Sequence, residues 1–166
     1  MKLVWIGAFG LKDPLRPGVF KSIQYARDNS GLGVKLVSGD HKNTAKAVAI
    51  QSGILRPEHG DNGKFSIMTG QQFRKSLRQG ETITTYDPLT NEPIKTRVDQ
   101  YTFDDVLREL KVLARATPAD KNMLITGLQD NLQRNVGCTG EGITDVDALQ
   151  TANIGLAMGS GVSAAR

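Results

Sequence analysis

Cysteine is almost absent: Cys138 is the sole thiol in 166 residues. That excludes an internal disulfide, and with only His41 and His59 beside it a structural zinc site lacks ligands. A reducing compartment is the natural setting. No stretch approaches the roughly 18 apolar residues of a membrane span. The start, Met1-Lys2-Leu3-Val4-Trp5, lacks the apolar run and small-residue cleavage site of a signal peptide. Aromatics make up only 5% of the chain. There is no long run of like charge and no basic–aromatic repeat, so a nucleic-acid footprint is not expected.

What is present suits one compact domain. The chain is 39% hydrophobic and 23% charged, with net charge +4, too apolar for disorder. Residues 1–55 hold eight Lys/Arg against three Asp/Glu, scattered singly, as on a solvated face.

Apolar patterning predicts alternating strands and helices. Lys2–Phe9 reads as a buried strand with Trp5 and Phe9 in the sheet core. Pro17 opens a helix through Val19, Phe20, Ile23 and Ala26, which Gly31 and Gly33 stop. Val34–Val37 is a second strand. Asn43 caps a helix through Ala45, Val48, Ala49 and Ile50, and Gly53 ends it. The alternation returns at Val112–Ala114 (strand), Thr117-Pro118-Ala119-Asp120 (helix start), Asn135–Cys138 (strand), Thr144–Thr151 (helix) and Ile154–Met158 (strand). This order argues a parallel α/β sheet with crossover helices. Residues 56–102 read as an insertion, with a β-hairpin over Glu81–Val98 broken at Asp87-Pro88 and Asn91-Glu92-Pro93. Cys138, Met123 and Met158 read as core, and His41 as a surface residue or a cap of the nearby turn.

In such sheets ligands bind at the carboxyl ends of strands, where three turns carry chemistry. Ser38-Gly39-Asp40 offers a hydroxyl and a glycine beside a helix start, a phosphate cradle or an ordinary turn. Lys121 sits in a first helical turn, against the dipole; it faces an anionic ligand or pairs with Asp120. Glu141 and Asp145 flank a glycine-rich turn with oxygen donors that suit Mg²⁺, or supply the ordinary acidity of a helix start, which Asp147 extends.

Together these segments closely resemble the phosphorylation domain of P-type cation-transporting ATPases. The residues that carry the resemblance are Gly10 to Gly18, Val37-Ser38-Gly39-Asp40 with Thr44-Ala45, Val112 to Lys121, Thr139 to Leu149, and Ala152 to Gly159, in family order and spacing. Met68-Thr69-Gly70-Gln71-Gln72-Phe73-Arg74 looks most like the plasma-membrane-type Ca²⁺ pumps. The resemblance implies a Rossmann-like parallel α/β sheet with helices on both faces, of the haloacid-dehalogenase (HAD) type. It implies ATP, Mg²⁺ and a transient aspartyl phosphate driving ion transport by a membrane domain. Ser38 and Gly39 would hold phosphoryl oxygens and Lys121 would neutralise them. Glu141 and Asp145 would take the magnesium positions. Asp13 would sit at the hinge to the nucleotide domain, with Arg16, Asp40 and Arg115 near the nucleotide.

The chain departs from the family in three places. The nucleophile motif Asp-Lys-Thr-Gly-Thr is missing, so residues 1–166 are expected to be a soluble, inactive piece of a phosphorylation domain. The missing partners would be the nucleotide-binding and transmembrane domains of a pump, at the cytoplasmic face of a membrane. Glu141 stands for the family's first Asp and Thr144 for its Asn, and Asp147 replaces a Pro. The alternative is a non-catalytic binding module of the same fold with a degenerate Mg²⁺ site. A free-standing phosphatase would need an Asp on its first strand, and Lys2–Phe9 has none.

Overall fold

The computed structural model describes residues 4–10, 13–59, 61–76, 82–86, 93–97 and 100–160. Its centre is strand β5 (Val112–Ala114), flanked in parallel by β1 (Leu36–Val37) on one side and β2 (Ile67–Thr69) on the other. All three β5 side chains are fully buried, as expected of a central parallel strand covered on both faces.

Alternation along β5 sends its side chains to opposite faces. Leu113 joins one core with Met68, Phe73, Phe103, Val106, Leu107, Leu110 and Leu124. These come mainly from α3 (Gly70–Ser76), α4 (Gln100–Glu109) and α5 (Pro118–Asp130). Val112 and Ala114 face the other core, with Ala45 and Ala49 of α2 (Lys42–Gln51), Ile54 and Leu55. Helices therefore cover both faces of the parallel sheet that the alternation implied, and the fold is the Rossmann-like α/β class that the resemblance implied.

A separate parallel pair, β6 (Gly137–Gly140) and β7 (Ile154–Ala157), is joined by a 3₁₀ turn (Ile143–Asp145) and α6 (Val146–Thr151). α6 packs closely on β7: a Cβ at Gly155 would come within 2.5 Å of the Leu149 carbonyl oxygen. β3 (Thr82–Tyr86) and β4 (Pro93–Arg97) pair antiparallel, Thr82 opposite Arg97 and Tyr86 opposite Pro93, which is the expected hairpin.

The structure corrects several expectations. Residues 4–10 form no strand, and Val4, Trp5, Ile6 and Phe9 are at least 80% exposed. No described strand pairs with them, so their apolar pattern has nothing to cover. Met1–Leu3 lie outside the described residues. The stretch 56–102 is not wholly an insertion, since β2 within it is an edge of the central sheet. Met158 is exposed, and Cys138 is only half-buried. The α2 N-cap is His41, whose Nδ1 accepts from the Asn43 N–H at 3.3 Å. The helix after Pro17, α1 (Val19–Asp28), buries no residue completely. Arg27 donates to the Gly53 carbonyl and so ties α1 to the end of α2. Gly53 has φ +78°, and the Phe20 ring fills the place of its Cβ.

Candidate functional site

The sequence-predicted turns all lie at strand carboxyl ends. After β1, the Ser38 hydroxyl donates to Asp40 Oδ2 at 2.8 Å, and the Asp40 N–H donates back to Ser38 Oγ at 3.0 Å. The same turn is stitched to the end of β5: the Ala116 N–H donates to the Ser38 carbonyl and the Arg115 N–H to the Asp40 carbonyl, both at 3.0 Å. Arg115 takes a left-handed φ of 50°, and its side chain points into solvent. A Cβ on Gly39 would make only an ordinary 3.9 Å contact with the Ala116 carbonyl. The fold alone does not demand glycine there.

Five residues beyond Ala116 the chain reaches Lys121. Thr117 caps α5 in a capping box: its hydroxyl accepts from the Asp120 N–H, and Asp120 Oδ2 accepts from the Thr117 N–H at 2.8 Å. Asp120 is thereby turned back into the protein, fully buried. There both its oxygens accept from Arg74 Nη1 of α3 at 2.6–2.7 Å. Burial works to raise the Asp120 carboxyl, but the Thr117 and Arg74 hydrogen bonds prevail and hold it below the usual carboxylate range. In the sequence Arg74 is only the last residue of the Met68–Arg74 string and carries no signal of its own. Nothing in the spacing joined it to Asp120, 46 positions away.

Lys121 does not pair with Asp120. Its ammonium contacts Asp145 Oδ1, across from the central sheet to the turn after β6. Asp145 Oδ2 accepts from the Glu141 and Gly142 N–H groups at 3.1 Å each. Gly140 makes this fold-back possible, because a Cβ there would stand 2.5 Å from Asp145 Cβ. Burial pushes the Asp145 carboxyl up; the Lys121 ammonium and the two N–H donors push it down and win. Cys138 lies beside this pair, and burial together with the Asp145 charge raises its thiol.

Glu141 is exposed, and among the described residues its carboxylate has no hydrogen bond or ion pair. Asp13 and Arg16 are exposed, and among the described residues their side chains make no hydrogen bond or ion pair with the other site residues. No cluster of three His, Cys, Asp or Glu side chains occurs among the described residues. The structure thus brings together Lys121 with Asp145, and Ser38 with Asp40 and the Arg115–Ala116 backbone. Asp13, Arg16 and the carboxylate of Glu141 stay apart.

The donors fit Mg²⁺ in kind. The ion takes hard oxygens from one or two carboxylates and completes its shell with waters and phosphate. Glu141 is open, and Asp145 has three donors on about four lone-pair sites.

No family profile matches the chain. Human plasma membrane calcium-transporting ATPase 4 is 36% identical over 162 residues, covering 95% of this chain and 12% of that protein. Plasma membrane calcium-transporting ATPase 1 of Gallus gallus is 36% identical over 161 residues, again 95% of this chain and 12% of that protein. Among solved structures, the catalytic domain of the CPx-ATPase CopB-B superposes with TM-score 0.53 at 19% identity, covering 90% of this chain and 37% of that one. That likeness concerns the fold alone. The resemblance to cation-transporting ATPases therefore extends along nearly the whole chain, which spans about 12% of the length of these calcium-transporting relatives.

Proposed function

We propose that this chain is the phosphoryl- and Mg²⁺-binding part of the phosphorylation domain of an ATP-driven Ca²⁺ pump. The observation that carries the reading is the contact of Lys121 with Asp145 across two sheets, at the carboxyl ends of their strands. The similarity to calcium-transporting ATPases over 95% of the chain supports it.

In this reading the acceptor carboxylate comes from outside the 166 residues. Among the described strands β1 pairs only with β5, and β6 only with β7, so one edge of each is available to a further strand. Ser38 Oγ and the Gly39 backbone bind the transferring phosphoryl oxygens, and the Lys121 ammonium neutralises their charge. Phosphoryl transfer needs little else from a protein than positioning and charge stabilisation. Glu141 and Asp145 would hold Mg²⁺, which when bound neutralises phosphate charge. Asp13 serves the hinge, and Arg16, Asp40 and Arg115 approach the nucleotide. Partners are the nucleotide-binding and transmembrane domains of the parent pump, with this part at the cytoplasmic face of the membrane.

A second reading, a non-catalytic module with a degenerate metal site, draws on Glu141, Thr144 and Asp147 in place of the family residues. Incubating the parent polypeptide with γ-labelled ATP and Mg²⁺ separates the two. A pump part gives a hydroxylamine-labile acyl phosphate that Lys121→Gln lowers by about 10²-fold or more, the size typical of lost charge stabilisation. Absence of any labile label contradicts the pump reading.

A further inference from the structure

A second basic site lies away from Lys121 and Asp145. A cavity of about 370 Å³ opens between the first turns of α2 and the loop leading into β2, within the size range of small-ligand pockets, roughly 300–1,000 Å³. Its floor is apolar: Leu55, fully buried, with Pro57 and Ile67. Its rim carries Lys42 and Lys46 on α2 and Lys64 on the facing loop.

The charge at this rim is not compensated from within. Lys42 and Lys46 are four apart on one helix, a spacing at which like charges repel. The first turn of α2 contains no acidic residue. None of the three lysines has an ion pair among the described residues. The one carboxylate lining the cavity, Asp61, is already occupied. Its Oδ2 accepts from the Arg56 N–H at 2.9 Å, and its Oδ1 lies 3.6 Å from Lys111 Nζ. Glu109 nearby is committed to the Phe65 N–H at 3.2 Å. Glu58, in the 3₁₀ turn after Pro57, is exposed and does not line the cavity. Lys64 is positioned with its ammonium 5.1 Å from the Phe65 ring centroid. Three lysines thus line one pocket whose one lining carboxylate is already occupied. The complementary ligand is an anion with several adjacent negative groups, one for each side of the rim, rather than a single-point charge.

We propose that this cavity binds a soluble polyphosphate anion at a site separate from the Lys121–Asp145 turn. The proposal does not rest on the pump reading and stands or fails apart from it.

The test is an amide-resolved NMR titration of the 166-residue chain with inorganic tripolyphosphate, without divalent metal. The wild type is compared with the Lys46→Gln/Lys64→Gln double variant and with Lys121→Gln. Both cavity lysines in the double variant are exposed, so folding is not at stake. The expected result is saturable shifts at Asn43, Lys46, Gly63 and Lys64, an affinity at least ten-fold weaker in the double variant, and no change there in Lys121→Gln. Shifts confined to Ser38, Lys121 and Asp145 would overturn the proposal. So would an affinity that the double variant leaves unaltered, or no saturable shift at all.

Discussion

Lys121 and Asp145 form a largely buried ion pair, and the same carboxylate closes the Glu141–Gly142 turn with its second oxygen. The pair therefore joins two separately paired sheets while it builds the acidic turn. Lys121→Met should cost about 1–3 kcal/mol, the range for leaving one member of such a pair with backbone donors only. Asp145 titrates below its ordinary value when folded. Its contribution to stability is therefore complete above the unfolded carboxyl pKa and is lost as pH falls through the folded one. Urea unfolding between pH 7 and pH 3 should show a shallower acid loss in Asp145→Asn than in the wild type.

Gly39 and Gly70 should differ in how much alanine costs them. Gly39 has ordinary room for a Cβ, so Gly39→Ala should change stability by no more than about 1 kcal/mol. It should still weaken binding of a phosphoryl mimic if the backbone there approaches the anion. A Cβ on Gly70 would overlap Asp120 Oδ2 and stand 2.8 Å from the Arg115 carbonyl oxygen. Gly70→Ala should cost about 2–3 kcal/mol, as overpacking against fixed groups does. Chemical denaturation of both variants checks this.

Arg74 is the sole cation on a fully buried carboxylate among the described residues. Removing one partner of a fully buried pair costs about 3–5 kcal/mol. Arg74 is 45% exposed, so Arg74→Ala should cost less, about 2 kcal/mol. Denaturant midpoints at neutral pH decide it. Asp120→Asn in the Arg74→Ala background should add less than its single-variant cost.

Lys35 gives a prediction at alkaline pH. Its ammonium donates to the Leu107 and Leu110 carbonyls, where α4 ends. Burial, aided by the charge of Lys111, lowers its pKa to about 8. The folded state thus holds its proton less tightly than the unfolded chain. The resulting penalty is complete below pH 8 and is relieved as pH rises from about 8 toward the ordinary value of 10.5. The wild type should therefore gain stability relative to Lys35→Met across that window, measured by denaturant unfolding at pH 7.5 and 10.

Much of this arrangement was legible in the sequence, for identifiable reasons. Val112–Ala114 is an unbroken apolar run, and such runs become central parallel strands. Thr117, Pro118 and Asp120 spell a capped helix start. The Lys121 partner was not legible from its neighbourhood. Adjacent helical residues do not face each other, and capping had already turned Asp120 inward toward Arg74. Ile67-Met68-Thr69 is too short to announce a strand by periodicity. It became one because β5 offered an edge. Val4–Phe9 shows the reverse: a short apolar run with no neighbouring strand among the described residues leaves Trp5 and Phe9 in solvent. Contacts between distant turns depend on the sheet that carries them, and no local pattern encodes that.

The most direct test of the central claim is a calorimetric titration of Mg²⁺ with a phosphoryl mimic such as beryllium fluoride. It would use the polypeptide extended upstream through the acceptor aspartate, with Glu141 and with Glu141→Asp. The pump reading predicts that the Glu141 protein binds, with affinity within about ten-fold of the Asp variant, and that Asp145→Asn abolishes binding. Binding only in Glu141→Asp, or in neither protein, would contradict it.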